Sequence, residues 1–379
     1  DDLSEVECTG TEFNSNVADN GGAIYALGDL EITESIFNAN EAAEDGGAIY
    51  ASAKYTDLNV KIDGSTFIEN TAADAGGAVA VFETGNYQLT YDIDDCEFDG
   101  NIVTPIEDRE ICVAGGAFYT EGATVGTIAN SLFTENKADS DYYANGGAIK
   151  VQFGGTATIE NTTFADNEAA QNGGAISVQA NVDENCEVFI NNCTFIGNEA
   201  PAGGAISALQ NVGKSIVIVK DSNFTENAAD VGGAIYFDDL SEVEITGTEF
   251  TSNIADNGGA IYALGDLTVK ESNFTENVAV EEGGAVYISD KYIAANLDVK
   301  DCTFTENTVS DAGGAIAIDA TNGKGIAYNI FDSAFNANEA KNIGDDACVA
   351  GGAIFTEGAA SGAIKGSDFK GNKVDSATT

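Results

Sequence analysis

Two short signatures alternate along the whole chain without a break. Thirteen copies of one, F-x-x-N, alternate with twelve copies of the other, G-G-A-[IVF]. Successive G-G-A motifs are mostly 25 to 31 residues apart, and never more than 39. A period in this range is typical of solenoids, in which each repeat contacts only its neighbours. The chain therefore predicts one elongated repeat structure with no separate globular domain.

Aligning the copies on the phenylalanine shows further columns. Five residues before it stands Ile or Val in twelve copies, two before it only Ser, Thr or Cys, and five after it only Ala or Val. Short β-branched runs such as LEITESIF alternate these apolar positions with polar ones, which is strand periodicity and not helix periodicity. One-residue shifts in this alternation mark corners, where a strand bends. Gly-Gly supplies another corner because glycine tolerates positive φ. We therefore predict an all-β fold, a parallel β-helix of 12 to 13 coils, as many as the copies of the two motifs.

The asparagine of F-x-x-N predicts a ladder along one edge of the rod. An Asn side chain in a turn can bond the backbone and the amide of neighbouring coils, which satisfies groups that a corner leaves free. The predicted ladder residues are Asn16, Asn40, Asn70, Asn101, Asn136, Asn167, Asn198, Asn227, Asn253, Asn277, Asn307, Asn338 and Asn372.

A larger repeat contains the smaller one. The opening DDLSEVE returns at Asp238, and 26 of residues 1–29 match residues 238–266. We predict a first super-repeat of eight coils over 1–237 and a partial second one over 238–379, continuous with the first. Two long inserts, at 102–114 and 339–350, occupy matching places and predict a side feature. Both sequence ends cut through a coil, so we expect the coils to continue in the same chain or in the next subunit, stacked head to tail.

The net charge of the chain limits the classes of partner that it can bind. With 63 acidic and 15 basic residues the formal net charge is -48, and this field repels nucleic-acid phosphates. The acids are scattered through every copy and form no D-x-[DN]-x-[DN]-G calcium loop, which favours a solvated acidic coat over a dedicated ion site. We expect no cofactor, and leave open loosely bound divalent cations such as calcium. No apolar run approaches the roughly 18 residues of a transmembrane segment.

The residues that catalysis needs are scarce. The chain has no histidine, so zinc sites and Ser/His triads are excluded or nearly so. The densest acidic cluster is Asp92, Asp94 and Asp95. Glycosidases need two carboxylates, one of them with a raised pKa, but Asp92 and Asp94 occupy outward positions that are polar in every copy. A solvated surface is the favoured interpretation, and we predict no catalytic residue.

Seven cysteines could suggest disulfide bonds in an extracellular protein. Cys96, Cys193 and Cys302, however, share the inward Ser/Thr slot and lie at least three coils apart, roughly 14 Å at about 4.8 Å per coil. Buried thiols that pack as small hydrophobic groups are therefore favoured. The other four cysteines are Cys8 in the Ile slot, the matching pair Cys112 and Cys348, and Cys186 in a variable loop.

Four N-x-[ST] sequons are candidate glycosylation sites. They lie one or three residues before the phenylalanine, in outward columns, at Asn161, Asn192, Asn223 and Asn273. Glycosylation is geometrically feasible there. Chance sequons are common in strands rich in Asn and Thr, so both interpretations stay open.

The paired motifs resemble the repeats of the chlamydial polymorphic outer membrane proteins, and are similar to those of adhesin-like surface proteins of methanogenic archaea. The resemblance covers essentially the whole chain. It implies a right-handed parallel β-helix of the pectin-lyase type, displayed outside a cell. Lyases of that fold use a basic residue beside acidic calcium ligands, but the only arginine here is Arg109 in the first insert, and the matching insert lacks it.

Three functions follow from these observations. The leading hypothesis is a non-enzymatic extracellular solenoid that forms or belongs to a fibre, sheath or surface layer, through end-to-end or lateral self-association. The alternative is an adhesin whose side loops bind a receptor, which the sequence leaves unidentified. A polysaccharide-active enzyme is the weakest of the three.

Overall fold

The chain winds into a parallel β-solenoid. The computed structural model describes residues 5–85, 87–105, 112–181, 184–210, 213–341 and 349–375, and these contain strands, turns and no helix. Every ladder between strands is parallel, and each strand pairs with its equivalents in the preceding and following coils. The predicted all-β parallel β-helix is confirmed.

Sheet 1 contains the longest strands, which carry the Ile/Val column. Their inward residues alternate with outward polar ones, as in Leu89–Asp94. The thirteen strands are Val6–Thr9, Leu30–Thr33, Leu58–Asp63, Leu89–Asp94, Thr124–Ala129, Thr156–Glu160, Cys186–Asn191, Ser215–Lys220, Glu242–Thr246, Leu267–Lys270, Ala295–Lys300, Ile326–Phe331 and Ala360–Lys365.

Sheet 2 follows in each coil and consists of three-residue strands centred on the repeat phenylalanine. Phenylalanine pairs with phenylalanine from coil to coil, as Phe67 does with Phe37 and Phe98. Its thirteen strands are Glu12–Asn14, Ile36–Asn38, Thr66–Ile68, Glu97–Asp99, Leu132–Thr134, Thr163–Ala165, Thr194–Ile196, Asn223–Thr225, Glu249–Thr251, Asn273–Thr275, Thr303–Thr305, Ala334–Asn336 and Asp368–Lys370.

Sheet 3 is short and interrupted, and begins just after the ladder asparagine. A six-stranded part contains Val17–Ala18, Glu41–Ala42, Thr71–Ala72, Ile102–Val103, Lys137–Ala138 and Glu168–Ala169. A five-stranded part contains Ile254–Asn257, Val278–Glu282, Thr308–Val309, Glu339–Lys341 and Lys373–Asp375. Cys112–Ala114 and Tyr143–Asn145 form a separate pair.

Sheet 4 follows the Gly-Gly corner and leads back to sheet 1. Its twelve strands are Ile24–Ala26, Ile49–Ala53, Val79–Glu83, Phe118–Glu121, Ile149–Gln152, Ile176–Gln179, Ile206–Leu209, Ile235–Phe237, Ile261–Ala263, Val286–Ser289, Ile316–Ala320 and Ile354–Gly358. Ile235–Phe237 pairs with Ile261–Ala263, so the sheet runs unbroken across the boundary between residues 237 and 238. The division into two super-repeats remains a prediction from the sequence.

The corners share one backbone device, a residue in the left-handed region. It occurs three residues before every repeat phenylalanine and again two residues after it, as at Asn161 (φ 51°) and Asp166 (φ 54°) around Phe164. The third such corner is the first glycine of each G-G-A motif, for example Gly173 (φ 65°). At the second glycine, Gly174, a Cβ atom would lie 2.1 Å from the carbonyl oxygen of Gly204, so only glycine lets the two coils approach this closely.

One continuous hydrophobic core fills the rod. Inward Ile, Val, Leu and Phe side chains of sheets 1, 2 and 4 form a single cluster from Ile24 to Ala353. Smaller alanine and valine side chains fill the narrow corner behind sheet 3, as Ala72, Val103 and Ala138 do. The small Ala/Val column follows from the lack of space there.

Candidate functional site

Each predicted ladder asparagine bonds to the next one along the rod. The Nδ2 atom of one residue donates to the Oδ1 atom of its neighbour over 2.7–3.0 Å. The same Oδ1 atom also accepts the neighbour's backbone N–H, over 3.0–3.1 Å. The row extends from Asn16 to Asn372, and all its members between these two are fully buried. It closes the corner between sheets 2 and 3.

Two further ladders run parallel to the asparagines. The thirteen phenylalanine rings stack with centroids 4.6–5.1 Å apart and interplanar angles of 1–14°. In the Ser/Thr/Cys column, a side-chain oxygen accepts the backbone N–H of the neighbouring coil, as Ser65 Oγ does from Ser35 N at 3.0 Å. The phenylalanine contacts repeat with every coil and the side-chain oxygen contacts with most coils, so they tie the coils in one axial register.

The thiols lie in the inward columns that the sequence indicates. Cys96, Cys193 and Cys302 are buried and carry free thiols, and the Cys193 Sγ atom donates to the carbonyl of Asn191 at 3.3 Å. Burial raises the pKa of Cys96 to about 12 and that of Cys193 to about 11. The prediction that Cys186 lies in a variable loop is wrong: it is the buried first residue of the sheet 1 strand Cys186–Asn191, where its side chain points inward. Cys8 is half-buried. Cys348 lies outside the described residues, as does the environment of the Cys112 side chain.

The four sequon asparagines are all exposed. Asn161 and Asn192 occupy left-handed corners in adjacent coils, and the Nδ2 atom of Asn192 donates to Oδ1 of Asn161 at 2.7 Å. Asn223 and Asn273 instead project from the outer face of sheet 2 and lie two coils apart. Glycosylation at these four residues stays a prediction.

The densest acidic cluster faces solvent and belongs to surface ladders. Asp92 accepts from the Thr127 hydroxyl at 2.6 Å, and Asp94 accepts from the side chain of Asn130 at 2.7 Å. Asp95 occupies a left-handed corner. In the part of the chain that the structure describes, no group of three His, Cys, Asp or Glu side chains could hold a metal ion. Arg109 lies outside that part.

A groove runs along the outer face of sheet 4 and the Gly-Gly corner that precedes it. Its volume is about 550 Å³. Asp45 and Asp74 lie at one end, Tyr119 and Glu121 in the middle, and Gln210 at the other end. Phe82 and Tyr119 belong to a small apolar cluster with Tyr50 that lies outside the main core.

One carboxyl group in the groove, that of Asp45, has an unusual pKa. Burial raises the pKa of Asp45 to about 7, and the negative charges of Asp74, Glu44 and Glu121 raise it further. Glu121 also accepts a hydrogen bond from the Tyr119 hydroxyl. Near neutral pH Asp45 is therefore protonated in a substantial fraction of the molecules.

The second super-repeat carries a related group of acids. Glu282 takes the place of Asp45, and burial raises its pKa to about 7, helped by Glu357, Asp319, Asp311 and Glu281. Phe82, however, corresponds to Asp319, which accepts from the Tyr287 hydroxyl at 2.9 Å. The second super-repeat thus lacks an aromatic side chain at the position of Phe82 but keeps Tyr287 at the position of Tyr50.

Sequence reasoning did not find this groove. Its polar residues Glu121, Gln152 and Gln179 lie at an outward position of sheet 4, six places after the first glycine, where the side chain differs between most copies, so an alignment of the copies gives no consensus there. One available signal is the set of aromatic residues four or six places after the first glycine in adjacent coils, at Tyr25, Tyr50, Phe82 and Tyr119, whose rings contact in sequence.

Comparison with known families agrees with this architecture. A family model described as "Right handed beta helix region" matches residues 62–274 and 181–336, together well over half of the chain. The "Chlamydia polymorphic membrane protein (Chlamydia_PMP) repeat" matches residues 10–27 and 34–52, each of which spans an F-x-x-N and a G-G-A motif. No solved structure gives a significant match. Among the described residues, no helix has the length and apolar character needed to cross a membrane.

Proposed function

This chain belongs to the right-handed β-helix family, and from that premise we propose that it is a non-enzymatic structural rod of a cell surface, forming or belonging to a fibre, sheath or surface layer. The observation that supports a structural role most is that the asparagine and phenylalanine ladders continue through all the described coils. Such ladders hold a rod straight and in register over its length. The match to the polymorphic membrane protein repeat supports display at the surface.

Self-association would turn single rods into a fibre or layer, either end to end or side by side. Rods with a formal charge of -48 repel one another, so we expect lateral association to need bound counter-ions. Loosely held calcium along the acidic faces would serve. Light scattering of the purified chain in millimolar calcium, and again after chelation, measures this dependence.

Immunogold electron microscopy of intact source cells tests the proposed location and assembly together. Antibodies raised against the purified chain are expected to label the outside of unpermeabilised cells along continuous filaments or sheets. Label that appears only after permeabilisation would refute surface display. Label on isolated particles without continuous structures would refute the fibre, sheath or layer.

Glycosylation is a separate part of the proposal. Asn223 and Asn273 are the stronger candidates, because they project from a flat exposed sheet and lie two coils apart. Asn161 and Asn192 lie in adjacent coils about 4.8 Å apart, where two glycans would collide. Intact-glycopeptide mass spectrometry of native material should find occupancy at Asn223 and Asn273 before Asn161 and Asn192.

The second candidate is an adhesin, and the groove on sheet 4 favours it, because a concave surface can recognise a ligand. An adhesin needs distinctive side features, whereas an assembly unit needs only repetition. Purified rods that bind cells in a saturable manner, and that lose this binding when groove residues are changed, would support the adhesin over the structural rod.

A further inference from the structure

The outer face of sheet 1 carries a row of thirteen side chains that lie side by side along the rod, which we call the edge row. Each belongs to one coil and stands four residues before the repeat phenylalanine, and strand pairing places it beside its equivalents in the neighbouring coils. All thirteen are exposed or half-buried. From coil 1 to coil 13 they are Thr9, Thr33, Asp63, Asp94, Ala129, Glu160, Asn191, Lys220, Thr246, Lys270, Lys300, Phe331 and Lys365.

Charge divides the edge row into two halves of opposite sign. Its acids all belong to coils 3 to 6, and its bases all belong to coils 8 to 13. The acids are Asp63, Asp94 and Glu160, and the bases are Lys220, Lys270, Lys300 and Lys365. Four of the 15 basic residues of a chain with 63 acidic ones therefore lie in one half of a single row. A uniform acidic coat does not account for this separation.

The order of these charges along the rod is self-complementary. A second copy can face sheet 1 with its rod axis reversed, related by a two-fold axis that runs along the strand of coil 7. This axis keeps each row against the same row of the partner, so coil 3 meets coil 11, coil 4 meets coil 10 and coil 6 meets coil 8. The facing pairs are Asp63 with the partner's Lys300, Asp94 with the partner's Lys270, and Glu160 with the partner's Lys220. Every carboxylate of the edge row thus meets an ammonium group, and each pair occurs twice.

The two other outward rows of sheet 1, six and eight residues before the phenylalanine, fit the same arrangement. In the first of them Lys61 faces the partner's Asp298, and Phe189 lies on the two-fold axis beside the half-buried Ile218. In the second, Glu187 meets its own copy on the axis, and this is the one pair of facing like charges among the described residues of the three rows. An apolar centre surrounded by polar and charged groups is the usual anatomy of a protein interface.

The charged side chains keep hydrogen-bonding capacity for a partner. Asp94 accepts from the Asn130 side chain through Oδ1 at 2.7 Å, and the Lys300 Nζ atom lies 3.5 Å from Oδ2 of Asp301. A carboxylate has about four lone-pair sites and an ammonium group has three donors, so neither contact occupies the whole group. The Lys300 side chain is 55% exposed, which leaves it accessible to a second carboxylate.

The face is also flat and of a suitable size. Successive phenylalanine rings are inclined by only 1–14°, so neighbouring coils superimpose with little rotation and the rows run nearly straight. Thirteen strands at about 4.8 Å span roughly 58 Å, and the three rows span about 13 Å along the strands. The resulting area is roughly 750 Å² per copy, close to the roughly 800 Å² per partner of a standard stable interface.

We propose that two copies of this chain pair face to face through sheet 1, with their rod axes antiparallel, about a two-fold axis at coil 7. The contact gives the lateral self-association of the proposed function a defined surface, and it rests on that part of the proposed function. A two-fold contact of this kind is closed, so it forms a dimer of rods. Elsewhere the rods repel one another, but on this face the partner's lysines take the place of bound counter-ions.

Analytical ultracentrifugation of the whole chain in a chelator, at about 0.15 M salt, tests the contact, and we expect an equilibrium between monomer and dimer. Lys220→Glu should weaken the dimer about tenfold or more, because it places an acid opposite Glu160. The double variant Glu160→Lys/Lys220→Glu exchanges the two charges and should restore the dimer. The matched control Lys370→Glu makes the same change of charge on sheet 2 and should leave the dimer unchanged. Glu187→Gln should strengthen it, because the like charges on the axis are removed.

Chemical cross-linking locates the two-fold axis. In Asn191→Cys the new thiols of the two copies lie together at coil 7, so a short bismaleimide should join them into a covalent dimer. The matched control is Thr33→Cys in the same row at coil 2. Its two copies lie ten coils apart, about 48 Å, and should not be joined. The parent chain, treated in the same way, shows the background from native thiols.

Several results would overturn the proposal. A chain that remains monomeric in chelator, or that associates only when calcium is present, has no such lysine-mediated contact. Parallel rods staggered by seven coils would place Glu160 opposite the partner's Lys365, so the charge exchange at coils 6 and 8 would fail to restore the dimer. Equal cross-linking of Thr33→Cys and Asn191→Cys would exclude an axis at coil 7. Circular dichroism of each variant establishes that the rod is folded. Any of these failures leaves the surface display, tested by labelling of intact cells, unaffected.

Discussion

At the scale of single residues, the ladder asparagine does what no other side chain of its size can do. Its Oδ1 accepts two N–H groups from the preceding coil, while its Nδ2 donates to the next asparagine and to the carbonyl of a phenylalanine in the preceding coil. Asn167 makes all four contacts, the last with Phe133 at 3.0 Å. Aspartate lacks the donor and leucine lacks both functions, so neither can take its place.

We therefore predict that Asn167→Ala lowers the free energy of unfolding by about 1–3 kcal/mol, because buried turn groups lose their partners. Thermal or urea denaturation followed by circular dichroism measures the change. The matched control is Asn329→Ala on the outer face of sheet 1, where Asn329 is exposed and bonds only Asp298. Equal stability of the two variants would show that the ladder contributes nothing.

The buried carboxyl group of Asp45 predicts an unusual dependence of stability on pH. Its pKa of about 7 in the folded chain lies above its ordinary value near 4, because burial and neighbouring acids disfavour the charged form. Between these two values the folded chain binds more protons than the unfolded chain, so stability falls as pH rises from about 4 to 7. Glu282 adds to this effect in the same direction.

Asp45→Asn should consequently stabilise the chain at pH 8, by roughly 1–3 kcal/mol, and change little at pH 4. Melting temperatures of the variant and the parent chain across this range test the prediction. Asp92→Asn again serves as the control, since Asp92 is exposed. A constant difference between Asp45→Asn and the parent at all pH values would contradict the assigned ionisation.

At the scale of the element, repetition decides what the sequence could predict. The inward columns and the asparagine column recur in every coil, so their identity and their side of the strand were readable. The left-handed corner three residues before the phenylalanine was not, because Gly10, Glu34, Asp95 and Asn130 all occupy it. Left-handed backbone normally favours Gly or Asn, and here the hydrogen-bonded neighbouring coils impose it on other residues.

The groove was beyond prediction for a related reason. It is formed where outward residues of several coils meet, and neither Phe82 nor Glu121 belongs to a repeated column. Only the winding of the chain brings Asp45 within reach of Glu121, which lies two coils further along. The outward side chains differ between copies, so an alignment of the copies shows no consensus for them. The same variation distinguishes this surface from the rest of the rod.

The Ser/Thr/Cys column gives a prediction at this scale, because its members share one role. Cys193→Ser should change the free energy of unfolding by less than about 0.5 kcal/mol, since Ser222 fills the same slot in the next coil and its hydroxyl donates to the carbonyl two residues before it, as the Cys193 thiol does. Cys193→Phe should unfold the coil by overpacking it. Chemical denaturation of both variants measures the contrast.

The native thiols of this column should also be unreactive. Burial and raised pKa values keep Cys96, Cys193 and Cys302 protonated at pH 8. Labelling with iodoacetamide followed by peptide mapping should modify them only after denaturation, and a non-reducing map should find no disulfide among the three. A disulfide between any two would place them in contact and contradict the coil assignment.

At the scale of the whole molecule, stability is the sum of many similar interfaces between neighbouring coils. One coil can therefore be removed if the cut respects the period. Deleting residues 164–194 removes one coil and joins Thr163 directly to Phe195, which restores every column. The Asn136 side chain would then meet Asn198 in place of Asn167, with the same geometry on both sides.

We predict that this deletion yields a folded rod with an unchanged β-sheet circular dichroism spectrum and a melting temperature lowered by only a few degrees, because about one interface in twelve is lost. The matched control deletes residues 164–178, roughly half a coil, and places a sheet 4 position beside sheet 2. That chain cannot align its asparagine, phenylalanine and glycine columns, so we expect it to aggregate or to melt far below the parent. Small-angle scattering should show the one-coil deletion shortened by about 4.8 Å, the spacing of neighbouring strands. If both deletions fold equally well, the ladders do not set the register of the coils, and the structural role proposed for them is wrong.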